Sequence, residues 1–280
     1  MPPSPTGFSL PAVADTGAAA SVAVEDVRHV FAGPPAVAAL AGVSLRVRPG
    51  AFAALIGPSG AGKSTLLRIL AGLLTPTGGH VEIAGADIAG RPGHAAYMPQ
   101  GGPLLPWRRV RANAILGAEV AGVPRKEAEM QAARLFARFG LAGFEDAWPS
   151  QLSGGMRQRL ALLRTFLTPK PVLLLDEPLG ALDAITRRSM QRWLQDVWQS
   201  DGRTVVLVTH DVEEALVLAD TIHVMSPRPG GIVARIGVPL PRPRTTADTT
   251  SAEFVALKAR ALDALDQAAA GGDGTAGARR

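Results

Sequence analysis

The chain has 280 residues, room for one large or two small domains, and its 47% apolar content excludes general disorder. No run of about eighteen or more uncharged apolar residues occurs, which argues against a membrane-spanning helix. The absence of Cys removes disulfides and thiolate metal sites and fits a reducing compartment. There is no Lys or Arg before Arg28, and Asp15 lies ahead of it, so the charged start of a secretory signal is missing and a soluble cytoplasmic chain is expected. The net charge of +5 is concentrated in 101–170, where eleven Lys plus Arg face five Asp plus Glu. Such a surplus can mark an anionic partner. A solvated helical face is preferred, because no aromatics are interleaved with the charges. Only four of the 29 basic residues are Lys, so a Lys inside a glycine loop is no accident of composition.

Residues 1–21, rich in Pro, Ala, Ser and Gly, read as a disordered leader. Strands are expected at 22–30, 43–47 and 51–56, the last two separated by the turn Arg48-Pro49-Gly50. Leu66, Leu67, Ile69, Leu70, Leu73 and Leu74 give helical spacing over 64–74, and 78–88 reads as a hairpin. A helical pattern covers 110–139, and another covers 160–167 after Gly154-Gly155. The apolar runs 172–175 and 204–208 suit strands buried on both faces of a parallel sheet, and a helix over 187–198 separates them. Strand, helix, strand in that order implies an α/β core. Two more strands are expected at 221–225 and 232–236. A Pro/Arg run, a helix over 252–265 and a Gly/Ala tail follow.

Gly57-Pro58-Ser59-Gly60-Ala61-Gly62-Lys63-Ser64, followed by Thr65, fits G-x-x-x-x-G-K-[ST] between a predicted strand and a predicted helix, the context that motif requires. Its glycines let successive backbone N–H groups turn inward around a phosphate, and the helix adds its positive end to the same anion. Lys63 would reach the β- and γ-phosphates, and the Ser64 hydroxyl would ligate Mg²⁺. The alternative is a Gly-rich turn that happens to hold a lysine. The loop alone specifies only a nucleoside triphosphate.

Asp176-Glu177 ends the apolar run 172–175. Adjacent like charges are costly unless a cation lies near. Mg²⁺ would supply one for Asp176, leaving Glu177 to polarise the water that attacks the γ-phosphate. Two solvated acids at a strand end are the alternative, and pairing with the phosphate loop decides against it.

Leu152-Ser153-Gly154-Gly155-Met156-Arg157-Gln158 stands little more than twenty residues before that pair and resembles the signature of ATP-binding cassette (ABC) ATPases. Ser153 and the two glycines open a helix toward a phosphate with a hydroxyl, bare N–H groups and the helix dipole. The resemblance spans about residues 22–240. It implies a P-loop NTPase with a RecA-like α/β core, an antiparallel β subdomain, an inserted helical subdomain across about 100–165, and an extension from 241. It further implies that the signature, including Gln158, meets ATP held by a second copy in a head-to-tail dimer. Gln100 resembles the glutamine that touches Mg²⁺ and the attacking water and senses the membrane subunit. Asp183, in Ala181-Leu182-Asp183, resembles the loop that crosses the dimer interface. His210 resembles the switch histidine on the γ-phosphate, and Phe31 the aromatic on which adenine stacks. Asp211 and Glu214, an Asp-x-x-Glu pair, are expected to cap the helix that follows.

Gln100 and Leu152 are only about fifty residues apart, leaving no space for the long coiled coil or zinc insertion of DNA-repair and chromosome-organising relatives. Nucleic acid is therefore not expected as a partner. Leu104-Leu105-Pro106-Trp107, Asp183 to Arg187, Ala215 to Asp220, Met225 to Gly230 and Pro239 to Arg244 resemble the nitrate/sulfonate/taurine importer branch. That branch also handles pyrimidine thiamin precursors, and an exporter subunit is the nearest other transport reading. The resemblance implies ATP and Mg²⁺, a membrane permease as partner, a solute-binding protein indirectly, and a peripheral place on the cytoplasmic face of the cell membrane.

Overall fold

The computed structural model describes residues 22–273; the leader expected over 1–21 and the end of the expected tail lie outside them. β1 (Val22–Phe31) pairs antiparallel with β2 (Val37–Val47). β3 (Phe52–Ile56) leads into α1 (Lys63–Leu70), and β4 (Gly78–Ile83) and β5 (Ala86–Asp87) return to complete an antiparallel sheet in the order β2-β1-β4-β5. After β6 (Ala96–Met98) come α2 (Val110–Ala114), α3 (Leu116–Val120), α4 (Arg125–Phe136) and α5 (Gly154–Leu167). The chain re-enters the core as β7 (Val172–Asp176), α6 (Ala184–Asp201), β8 (Thr204–Val208), α7 (Val212–Leu218), β9 (Thr221–Met225) and β10 (Ile232–Gly237), then closes on α8 (Ala252–Asp273).

The second sheet runs β10-β9-β3-β8-β7-β6, parallel throughout except for β10 at its edge. Every residue of β3, β7 and β8 is buried, and the strand period of two sends them alternately to two cores. Phe52, Ala54, Ile56, Leu173, Leu175, Val205 and Leu207 pack toward the helices of 110–167 and 190–261. Ala53, Leu55, Val172, Leu174, Val206 and Val208 pack toward α1 and the antiparallel sheet. The sheet is thus the middle layer, and the carboxyl ends of β3, β7 and β8 share one edge, where ligands bind in open α/β sheets. No helix among the described residues is long and apolar enough to cross a membrane.

The elements differ from expectation where chain geometry overrides periodicity. α1 stops at Leu70 rather than Leu74, because Gly72 takes a left-handed φ of 71° and packs where a Cβ would lie 2.2 Å from Arg91 O. The helical pattern over 110–139 is three helices, broken at Ile115 and again over 121–124, where Gly122 has φ 86° and Pro124 caps α4. α5 starts at Gly154 after the Ser153 cap, as the signature implies, six residues ahead of the apolar pattern that begins at Leu160. β2 starts at Val37 because its Ala/Gly-rich first half pairs with β1 in spite of weak strand propensity, and β6 is a three-residue edge strand too short to read. α8 continues beyond Leu265 to Asp273, carried by Gln267 and the alanines at 268–270.

Buried polar groups fix two junctions. His223, on β9, is 3% exposed, its Nε2 has no hydrogen-bond partner, and burial with the Arg235 charge holds its pKa down to about 4. The unfolded chain takes up a proton near pH 6.5 that the folded chain resists. Stability is therefore expected to fall as the pH drops from about 6.5 through 4, by on the order of 3 kcal/mol from this group. Urea unfolding across that range should show a shallower fall for His223→Leu; parallel curves would remove His223 as the cause. The second junction is Arg244, 2% exposed and without a carboxylate partner among the described residues. Its Nη1 donates to Leu216 O (2.6 Å) and Ala219 O (2.7 Å), Nη2 to Val238 O and Leu240 O (3.0 Å each), and Nε to Leu240 O (3.3 Å). All five guanidinium N–H groups are used, binding the end of α7 to the start of the C-terminal extension.

Candidate active site

The loop from Gly57 to Gly62 leaves β3 and turns directly into α1. Gly60 (φ 78°) and Gly62 (φ 90°) occupy left-handed conformations that disfavour a side chain. A Cβ at Gly62 would also lie 2.7 Å from Leu40 Cδ2 and 2.8 Å from Ala39 O, so the loop is seated against β2. No acid stands in the first turn of α1, leaving its positive end free for an anion. Lys63 Nζ donates to Gly57 O (2.8 Å) and Pro58 O (2.9 Å). Burial holds the Lys63 pKa below the ordinary lysine range, although the charges of Glu177 and Asp176 oppose the shift.

The loop forms one wall of a cleft of about 440 Å³, which Ser59, Ser64, Thr65, Gln100, Glu177, His210 and Arg228 also line. Glu177 follows β7 with a φ of 48°, a strained value for a residue with a side chain. Its N–H donates to Val208 O (2.9 Å), and its carbonyl accepts from Gln158 Nε2 (2.7 Å). So fixed, its carboxylate accepts from Gln100 Nε2 (3.2 Å), and its other oxygen lies 3.4 Å from His210 Nδ1. Residues 100, 177 and 210, from three separate strand ends, meet at one carboxylate.

Asp176, 1% exposed, lies beneath them, and its pKa is raised by burial and by the Glu177 charge against the opposing Ser64 hydroxyl hydrogen bond, Arg68 and Lys63. Its Oδ1 is buried with no hydrogen-bond partner. A buried carboxylate oxygen left unsatisfied beside a hydroxyl is the oxygen donor set that a hard divalent cation takes, so Asp176 and Ser64 fit Mg²⁺.

The remaining expected residues lie off the cleft. Ser153 caps α5, its Oγ accepting from Met156 N (3.2 Å), and Gly155 packs where a Cβ would meet Leu182 Cδ2 at 3.3 Å. Gly154 stands beside it in the first turn of α5. Asp183 caps α6 by accepting from Ile185 N (3.1 Å) and Thr186 N (3.0 Å); the Thr186 hydroxyl first, and then these bonds, hold its exposed carboxyl below the usual range. Phe31 ends β1 with its ring partly exposed, edge-on to His29 at 4.5 Å. Ala61 is fully buried under the loop. Gln158 is 5% exposed, and its amide bridges Glu177 O (from Nε2) and Ala181 N (2.7 Å to Oε1), holding the Glu177 backbone from α5. Glu214 departs from expectation: Asp211 alone caps α7, through Glu213 N and Glu214 N, while Glu214 is buried under Thr209, whose hydroxyl donates to it. Burial lifts the Glu214 pKa to about 7.

Arg228, within the run Met225 to Gly230 and with no role expected from the sequence, lines the cleft and donates from Nε to Gly60 O (3.3 Å). The two residues are 168 positions apart, and one arginine among many gives no local signal of such a contact.

A glycine loop on a helix N-terminus, a buried Asp176 beneath it and a held Glu177 beside it define a P-loop nucleotide triphosphatase. A family model described as ABC transporter matches residues 40–180. The chain is 49% identical to the aliphatic sulfonates import ATP-binding protein SsuB 1 of Rhodococcus jostii, over 81% of this chain and 86% of that one. It is 42% identical to the taurine import ATP-binding protein TauB of Yersinia pestis, over 71% and 78%. An uncharacterized ABC transporter ATP-binding protein of Methanocaldococcus jannaschii is 43% identical over 82% and 85%. A solved ATP-binding cassette, a dimer in a post-hydrolysis state with ADP and Pi, superposes with a TM-score of 0.70 at 29% identity, over 78% of this chain and 98% of that one. The chain belongs to the ABC transporter family as an ATP-binding, ATP-hydrolysing subunit.

Proposed function

We propose that this subunit powers import of a small sulfonate-type solute, working as a head-to-tail pair bound to a membrane permease on the cytoplasmic face and fed by a solute-binding protein. The observation that carries the hydrolytic part is the Glu177 carboxylate held between Gln100 and His210 in the phosphate-loop cleft. Identity of 49% to an aliphatic sulfonates import protein supports direction and solute class.

In this reading the loop N–H groups, the α1 terminus and Lys63 take the phosphates of ATP, with Lys63 exchanging the Gly57 and Pro58 carbonyls for phosphate oxygens. Asp176 and Ser64, with Gln100, would hold Mg²⁺, which when bound offsets charge on the terminal phosphates. Glu177 orients the attacking water and accepts its proton, while His210 and Gln100 keep the carboxylate aimed at the γ-phosphate. Phe31 offers its exposed ring to the adenine. The second copy supplies Ser153, Gly154 and Gly155 over the γ-phosphate and Asp183 across the interface, which accounts for their distance from the cleft of their own chain.

Labelled uptake in a strain lacking the chain tests the reading, with taurine, an alkanesulfonate, nitrate and a hydroxymethylpyrimidine as the panel. Selective loss of the sulfonate or taurine is expected. Loss of the pyrimidine alone would move the solute class, and export of a labelled solute in place of uptake would reverse the direction.

A further inference from the structure

The loop between β9 and β10 packs against the phosphate loop beside β2. Ser226 closes this loop on Gly231, its N donating to Gly231 O (2.9 Å) and its Oγ accepting from Gly231 N (3.0 Å). Gly230 is stitched to β2 by Gly230 N to Ala39 O and Ala41 N to Gly230 O, both 2.9 Å. It packs so closely on the phosphate loop that a Cβ there would lie 1.9 Å from Ala61 O. This loop is therefore a fixed support, and Arg228 is the side chain it delivers. The Arg228 guanidinium rests over Gly60, where a Cβ would meet its Nη2 at 3.7 Å, while Nε donates to Gly60 O. The residue is exposed at the cleft wall, and among the described residues no carboxylate pairs with it. Arg244, by contrast, is buried and spends all five N–H groups on carbonyls. Arg228 spends one N–H on Gly60, leaving four for a ligand.

We propose that Arg228 is a second phosphate-binding cation of the cleft, anchored through Nε to the phosphate loop and offering its Nη groups to the terminal phosphates opposite Lys63. The proposal rests on the nucleotide reading of the cleft. A planar guanidinium held by one edge presents a fork matched to phosphate oxygens, which Lys63 as a point charge does not. Its partner is a polyphosphate rather than the base, because its neighbours are Ser59 and Gly60 of the phosphate loop.

The test uses the full chain and displacement of a fluorescent ATP analogue by ATP and by inorganic tripolyphosphate, at low and high salt. Arg228→Gln keeps a donor for Gly60 O but loses the charge; Arg228→Lys keeps the charge but loses the fork; Lys63→Ala is the control. Arg228→Gln is expected to weaken both competitors about tenfold, the scale of one charge-assisted hydrogen bond. The salt dependence should flatten, and Arg228→Lys should recover part of the loss. A purely supporting role would leave the salt dependence unmoved, and that result overturns the proposal. So does a loss for ATP without one for tripolyphosphate, which would place the contact on the nucleoside. If Lys63→Ala weakens binding while Arg228→Gln does not, Arg228 is excluded and the phosphate loop stands. If neither weakens it, the cleft reading falls as well.

Discussion

Replacing Glu177 by Gln is expected to leave ATP binding intact, cut turnover by about a hundredfold or more, and accumulate an ATP-held pair of subunits. The amide keeps the size of the carboxylate and can still hydrogen-bond to Gln100 or His210, but it cannot accept a proton from water. Neither Asp176 nor Lys63 can replace it. Asp176 is buried beneath with its charge disfavoured, and Lys63 is a cation. The backbone of residue 177 is held from both sides by Val208 O and Gln158 Nε2, so the substitution should not displace the chain. Phosphate release and size-exclusion chromatography with ATP give both readouts. Turnover at the wild-type rate would take the role of base away from Glu177, while the phosphate loop would keep its assignment.

Arg244→Met is the larger test of the fold. Removing the guanidinium strands the carbonyls of Leu216, Ala219, Val238 and Leu240 among buried residues. At about 1–3 kcal/mol for each unsatisfied buried group, less the relief of no longer burying a charge, the net cost is about 3 kcal/mol or more. Burial, and then the neighbouring Arg242, lower the Arg244 pKa to about 10, so the residue remains charged at neutral pH and full stabilisation by the carbonyls is available there. A thermal midpoint lower by about 5–10 °C is expected for a chain of this size. A shift within a degree would show that the extension beyond β10 contributes little to the core. Arg244→Lys should fall between, since an ammonium has three donors for five bonds.

The parts of the site that could be read from sequence are those in which neighbouring residues do the work together. Gly57 to Ser64 carries its own turn, nest and helix start, and Asp176-Glu177 is marked by the apolar strand before it. His210 is legible in the same way, at the end of β8. What could not be read depends on contacts between distant residues. Gln158 looks like part of a signature facing outward, yet its amide reaches 19 and 23 positions onward to Glu177 O and Ala181 N. Glu214 has the spacing of a capping partner, but Thr209 captures it first and Asp211 caps alone. In the fold, the alternating cores of β3, β7 and β8 follow directly from fully apolar runs. The breaks in 110–139 and the early end of α1 depend on glycine conformations that periodicity does not register.

The two hydrogen bonds of the Gln158 amide carry a thermodynamic obligation. One amide on α5 grips the carbonyl of the residue proposed to activate water and the N–H of Ala181, at the start of the segment proposed to meet the second copy. A displacement of α5 must therefore carry these groups with it or break one or both bonds. A force delivered to the helical layer, wherever it originates, reaches both hydrolysis and subunit contact through this side chain and the packing of Gly155 on Leu182. By reciprocity, whatever free energy the state of the γ-phosphate site imposes on α5 is returned, undiminished, to whatever docks on the helices outside it.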